Sequence, residues 1–251
     1  MKFCIVTVYT KAIKELGVIT VEYNKRKYCE KHGYDLEIRT DPMQFNTKSD
    51  FGLPHFGYEK IAILLELFKT RDYDWVFWCG SDTMITNYNI KLENLIDNNK
   101  HFIVANDLWG LNTDCLLVKS SPESIKFLEE IYGTFHTFVD SKGVNIDTGV
   151  RLPDGGARAW AEQGAINDLK DKYKDIIKIV PQKTMNSYLY QMYPSPWHQK
   201  GLDCDGNDGG WSKGDFMLHL PGMPNDVRLN IVVSVLKEVV GDDTATAEGG
   251  Y

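Results

Sequence analysis

The 251-residue chain has no run approaching the ~18 consecutive apolar residues of a membrane-spanning helix. The apolar stretch in its opening segment MKFCIVTVYT is too short for the core of a secretory leader, so a soluble, cytoplasmic protein is expected. Basic residues are scarce: 28 Lys and Arg stand against 35 Asp and Glu, a net charge of −7 with neutral histidines. That balance argues against a nucleic acid or an anionic membrane as partner, and leaves small anionic ligands held by local geometry. Cysteines number five (Cys4, Cys29, Cys79, Cys115 and Cys204), an odd count without Cys-x-x-Cys spacing. They read as reduced thiols rather than a disulfide framework or a zinc site. His32, His55, His101, His136 and His198 show no mutual spacing suited to zinc. There is no Gly-x-Gly-x-x-Gly dinucleotide loop and no Gly-x-x-x-x-Gly-Lys-Ser/Thr phosphate loop. Internal repeats are absent too.

What is present is a 43% hydrophobic content, enough for the core of one α/β domain. KFCIVTVYT is a β-branched run that predicts a central parallel strand. A helix is expected from Thr20 to His32, closed by Gly33, and YDLEIRTD reads as a second strand. Ile61, Leu64, Leu65 and Phe68 share one face of a further helix, at i, i+3, i+4 and i+7. Trp75 to Cys79, HFIVAND, CLLVKS, DIIKIVPQ and DFMLHLPG read as strands. Helices are expected near Leu92 to Ile96, from Pro122 to Phe135, over ARAWAEQGAINDLKDKY and over DVRLNIVVSVLKEVV. This alternation predicts a mainly parallel sheet flanked by helices, a single Rossmann-like domain over residues 1–240. The small, acidic segment 241–251 is expected to be disordered.

In such sheets ligands bind beyond the carboxyl ends of the strands. The run Trp75-Val76-Phe77-Trp78-Cys79 ends there on Gly80-Ser81-Asp82-Thr83. Asp82 either caps the turn that follows or faces a divalent metal that carries a diphosphate. Mg²⁺ and Mn²⁺ favour carboxylate oxygen, with imidazole acceptable to Mn²⁺, and keep positions open for phosphate oxygens.

YDWVFWCGSDTMITNYNIKLENLI resembles the metal-site strand of the galactosyl- and xylosyltransferases of yeast galactomannan and plant xyloglucan synthesis, where an apolar, Trp-rich strand ends in Asp-Ser-Asp. Six other segments resemble the same family in the same order. They are YNKRKYCEKHGYDLEIR, YEKIAILLELF, NDLWGLNTDCLLVKSS, WAEQGAINDL, VPQKTMNSY and GDFMLHLPG, so the likeness runs over roughly residues 22–222. The resemblance implies a GT-A glycosyltransferase, retaining in the sense of the family, with Mn²⁺ or Mg²⁺, a nucleotide-sugar donor such as a UDP-sugar, and a glycan acceptor. It leaves the oligomeric state open.

On that resemblance Asp82 and His219 are the expected metal ligands, with Ser81 contacting the metal through water or bonding the ribose. Gln163 would stabilise the oxocarbenium charge by its amide, and Glu162 would hold sugar hydroxyls; both also read as ordinary helix-surface residues. Asp107 and Asn112 flank a turn and suit bidentate bonds to sugar hydroxyls, with Trp109 as a stacking surface, or else form an Asx-turn bent at Gly110. Thr7 and Tyr9 end the first strand, where a nucleotide base sits; Tyr9 either stacks on it or edges the core. Lys60 reads as a phosphate or sugar contact or as an exposed residue, and Arg158 is placed to point at the donor.

Three departures from the family stand out. Gly80 takes the place of the first Asp, Asp114 stands where the family has Gly, and Pro224 replaces the Lys that meets the diphosphate. Arg228 and Lys213 are the candidates to supply that missing cation. The alternative these departures favour is a nucleotide-sugar or glycan-binding protein of the same fold without turnover. A nucleotidyltransferase would carry a Gly-rich basic loop after the first strand, which YTKAIKELG matches poorly.

Overall fold

The computed structural model describes residues 1–40, 56–140, 161–192 and 200–244. Its strands are β1 (Phe3–Val8), β2 (Asp35–Arg39), β3 (Trp75–Cys79), β4 (Thr83–Ile85), β5 (Phe102–Asp107), β6 (Gly110–Lys119), β7 (Ile177–Val180), β8 (Ser187–Tyr188) and β9 (Met217–His219). Its helices are α1 (Lys14–Gly17), α2 (Arg26–His32), α3 (Phe56–Thr70), α4 (Pro122–Asp140), α5 (Ala161–Leu169) and α6 (Asn225–Thr244), with 3₁₀ turns at Lys11–Ile13, Leu92–Asn94, Gln182–Thr184 and Tyr190–Met192. Residues 245–251 of the acidic segment lie outside the described residues.

Six strands form the main sheet, in the order β2-β1-β3-β6-β5-β7. β1 pairs in parallel with β2 and β3, and β5 with β7. Only β6 runs against its neighbours, β3 and β5, so the mainly parallel α/β architecture expected from the strand–helix alternation is present. β5 and β6 form a hairpin turned at Gly110, whose φ of 116° is open to glycine and strained for other residues. The Gly-Leu-Asn segment expected in the turn is already part of β6.

Alternating side chains cover the two faces. Cys4, Val6, Val76, Trp78, Leu116 and Val118 pack under α3, α4 and α5. Phe3, Ile5, Trp75, Phe77, Cys115 and Leu117 pack with Tyr28 and Cys29 of α2 and with Phe216 and Met217. Two-sided burial explains why the strands read as continuous apolar runs. Of the five cysteines, all free thiols, only Cys204 is exposed.

DFMLHLPG contributes to a second sheet rather than the main one, in the order β4-β9-β8. β9 runs antiparallel to β4 with His219 opposite Thr83, and Leu220 N donates to Asp82 O at 3.0 Å. Backbone pairing therefore fixes His219 beside Asp82.

The helix expected from Thr20 begins earlier, at Lys14, and its middle is π-helical from Val18 to Lys25. The wider turns aim three buried side chains at the strand end that carries Asp82. Thr20 Oγ1 donates to Ser81 O (2.6 Å), Lys25 Nζ to Thr83 O (2.6 Å), and Asn24 exchanges two bonds with the Ile85 backbone (2.8 Å each). Gly17, at the end of α1, lies under the Tyr9 ring; a Cβ there would sit 2.3 Å from the nearest ring carbon. Gly17→Ala is expected to push the ring aside and destabilise the fold by roughly 1–3 kcal/mol, measurable by urea unfolding. An unchanged denaturation midpoint would show that Tyr9 is free to move.

Candidate active site

A cavity of about 380 Å³ opens beyond the carboxyl ends of β1 and β3, where parallel sheets bind ligands. Val8, Tyr9, Thr10 and Ile13 line one side. Trp78, Gly80, Ser81 and Asp82 form the floor, and Lys60, Asp114 and Glu162 the opposite wall.

At one end Asp82, Asp114 and His219 each offer a ligand atom, and these atoms all lie within 4.8 Å of one another. Among the described residues this is the one group of three or more His, Cys, Asp or Glu side chains so arranged. His219 is fully buried, and its Nε2 lacks a hydrogen bond of good geometry. That nitrogen faces Asp114 Oδ2 at 3.3 Å and Asp82 Oδ1 at 3.7 Å. Its Nδ1 meets Asn186 Oδ1 at 2.7 Å, which assigns the Nδ1 proton to that bond. Burial favours the neutral ring, but the Asp82 and Asp114 carboxylates outweigh it and push His219 up to about 9. An imidazole nitrogen and two carboxylates converging on one point, with the second ring nitrogen anchored, fit a divalent cation.

Arg228 sits one turn into α6, where its backbone N bonds Pro224 O at 3.0 Å. Its guanidinium reaches Asp82 Oδ2 at 3.1 Å and donates to Leu220 O at 2.8 Å. Of the two candidates for the cation absent at Pro224, Arg228 is thus at the site. Lys213 lines a separate depression with Lys31, Trp211 and Glu238.

Lys60 is buried, not exposed, and does not point freely at a ligand. Its Nζ contacts Glu162 Oε1 at 2.7 Å, Thr113 O at 2.8 Å and Asp114 Oδ1 at 3.4 Å, and lies 5.5 Å from the centre of the Trp78 ring. Burial works against the ammonium, but Glu162 and Asp114 outweigh it and hold Lys60 above its ordinary value. The same contacts, against the opposing effect of burial, hold Asp114 well below the usual carboxylate range, with His219 adding to Lys60.

The remaining expected residues divide between cavity and scaffold. Tyr9, Ser81 and Glu162 line the cavity. Gln163 Oε1 accepts from Thr113 N at 3.1 Å, which turns its carbonyl toward β6. Thr7 is completely buried inside the sheet, and the lining begins one residue later, at Val8. Asp107 and Asn112 are turned inward: Asp107 Oδ1 accepts from Trp109 N at 2.6 Å, the Asx-turn arrangement. Asp107 Oδ2 accepts from Asn112 Nδ2 (3.1 Å) and from Tyr188 OH (2.9 Å). Asn186 Nδ2 reaches the same Tyr188 hydroxyl at 3.5 Å, so this network stands behind the His219 ring. Trp109 is 63% exposed on the hairpin turn. Arg158 lies outside the described residues. Asn186 and Tyr188 had a signal in the sequence, since both belong to the VPQKTMNSY segment. The position of Asp114 needed the strand register, which the sequence does not display.

Comparisons with known proteins lead to glycosyltransferases throughout. Residues 10–98 match the sequence pattern of the galactosyl transferase GMA12/MNN10 family. An α-1,2-galactosyltransferase of Schizosaccharomyces pombe is 19% identical over 237 residues, an alignment covering 79% of this chain and 54% of the relative. The chain therefore spans about half the length of that curated relative. Among solved structures, a glycosyltransferase involved in glycosylation of the major capsid of PBCV-1 superposes with a TM-score of 0.64 at 16% identity, covering 93% of this chain and all of the other. The galactosyltransferase LgtC superposes with a TM-score of 0.52 at 10% identity, covering 94% and 96%. No helix among the described residues is long and apolar enough to cross a membrane. The resemblance read from the motifs is borne out: the chain has the GT-A glycosyltransferase fold, and its residues 10–98 carry the pattern of the galactosyl transferase GMA12/MNN10 family.

Proposed function

We propose that the protein transfers a glycosyl group from a nucleoside-diphosphate sugar, a UDP-sugar, to a hydroxyl of a glycan acceptor, with Mn²⁺ or Mg²⁺ and with retention of anomeric configuration. One observation carries the reading: the buried His219 Nε2, without a hydrogen bond, faces Asp82 at the end of a cavity of ligand size. Asp82 and His219 would hold the cation. When bound, that ion supplies positive charge to the departing diphosphate.

The chain's own residues do the rest. Arg228, already turned toward Asp82, adds a fixed positive charge on the diphosphate side. Tyr9 provides an aromatic wall for the base, and Ser81 faces the ribose. Glu162, held by Lys60, presents its remaining lone pairs to sugar hydroxyls, while Gln163, the next residue on α5, would reach the anomeric centre on releasing Thr113 N. Asp107 and Asn112 act from behind, through Tyr188 and Asn186, to fix the imidazole plane. Such preorganised charge is the main source of rate in transfer reactions of this kind. The cation that the sequence lacks at Pro224 is present in space as Arg228, which favours turnover over a binding role.

Incubating the protein with a panel of nucleotide sugars, MnCl₂ and simple glycosides is expected to release the nucleoside diphosphate from one donor, faster with Mn²⁺. UDP-galactose is tested first, because the curated relative is named a galactosyltransferase. The anomeric proton of the product, read by NMR, tests retention. Tight diphosphate binding without release from any donor would support the binding-protein alternative instead.

A further inference from the structure

The first position of the acidic motif is Gly80, so the strand end offers one carboxylate, Asp82, where two are usual for a hard cation. We infer that Asp114, on the neighbouring strand, supplies the missing anionic ligand. This inference rests on the reading that Asp82 and His219 hold a divalent cation.

The strand register explains how a carboxylate moves between two positions so far apart in the chain. β3 and β6 are antiparallel with Cys79 opposite Cys115, and Gly80 N donates to Asp114 O at 3.0 Å one step further on. Residues 80 and 114 are therefore cross-strand neighbours, whose side chains share one face. A Cβ built on Gly80 would lie 3.6 Å from Asp114 Cγ and 2.9 Å from Asp82 Oδ1. The two positions thus compete for the same space beside Asp82, and glycine at one makes room for the acid at the other.

A local irregularity in β6 aims the side chain. Val104 pairs with Leu116 but Ala105 pairs with Asn112, so residues 113–115 bulge out of register with β5 while β6 still pairs with β3. Bulges of this kind redirect side chains at functional sites. The two oxygens of Asp114 then face different partners: Oδ1 meets Lys60 Nζ at 3.4 Å, and Oδ2 meets His219 Nε2 at 3.3 Å. Oδ2 occupies the side of the imidazole nitrogen on which a cation shared with Asp82 would sit. His219 itself is 0% exposed and unpartnered at Nε2, so the nitrogen that Oδ2 faces is shielded from water.

The test is an exchange of residues read by metal binding rather than by activity. Mn²⁺ is titrated into wild type, with and without UDP, and followed by calorimetry and by loss of the free-ion EPR signal. Asp114→Asn, close in shape, is expected to weaken Mn²⁺ binding by at least about tenfold. Gly80→Asp alone crowds three carboxylates together and is expected to bind no better than wild type. The double variant Gly80→Asp/Asp114→Gly is expected to recover most of the affinity lost in Asp114→Asn, a non-additivity characteristic of contacting positions. Unchanged affinity in Asp114→Asn, or no recovery in the double variant, overturns the inference and leaves Asp82 and His219 as ligands. Absence of Mn²⁺ binding to wild type, with or without UDP, overturns the metal reading and this inference together.

Discussion

Asp82→Ala is expected to lower Mn²⁺-stimulated release of the nucleoside diphosphate by about a hundredfold or more, the usual effect of removing preorganised charge from a transition state. The side chain stands at the centre of the charged group: Oδ2 meets Arg228 at 3.1 Å and Oδ1 faces His219 at 3.7 Å. The fold should survive the substitution. Asp82 is partly exposed, its own carbonyl pairing with Leu220 remains, and Arg228 keeps its bond to Leu220 O. Donor turnover and a thermal melt on the same sample check both halves. Full turnover in Asp82→Ala would remove the cation site from the mechanism, whatever the fold resembles.

Lys60→Met should have its main effect on stability, with a loss of about 3–5 kcal/mol. The Lys60 and Glu162 side chains are only 4% and 7% exposed, so the substitution strands a carboxylate in the interior, with Asp114 nearby. That loss is a large part of the ~5–15 kcal/mol that holds a typical domain together. Because the folded protein raises the Lys60 value above 10.5, its contribution is fully present below that pH and is lost only as pH rises through the higher folded value. The penalty of the variant should therefore persist unchanged from pH 6 to pH 9. Urea unfolding at those two pH values measures it. A double variant Lys60→Met/Glu162→Gln should regain part of the loss, since it neutralises the stranded acid. A loss below ~1 kcal/mol in Lys60→Met would mean that water reaches the pair and that burial does not govern it.

Much of this arrangement was legible in the sequence because it depends on local pattern. Apolar runs located the central strands, Ile61, Leu64, Leu65 and Phe68 marked the buried face of α3, and Gly33 marked the end of α2. The likeness of short segments to one family brought together Asp82 and His219, which the β4–β9 pairing sets side by side. What escaped was whatever depends on partners from other elements. Asp107 and Asn112 have the chemistry of sugar ligands, yet Tyr188 arrives from β8 and draws both into a buried network. Lys60 reads as a surface or phosphate-binding residue until Glu162 on α5 meets it. Asp114 read only as a departure from the family's Gly, because only the register of β6 against β3 shows which strand end it joins. A side chain's type sets the bonds it is able to make, and the crossing of elements decides which are made.

The π-helical stretch Val18–Lys25 also restricts how this chain is able to change length. Thr20, Asn24 and Lys25 each hold a backbone group between Ser81 and Ile85, and they do so in the phase set by the widened turns. Removing one residue would return the segment to ordinary α-helical winding and rotate the later anchors by about 100° relative to the earlier one. A substitution at Thr20, Asn24 or Lys25 removes the bonds of one anchor, whereas a single-codon deletion displaces several at once. The number of residues in this stretch, as well as their identity, is thus set by the strand end it holds.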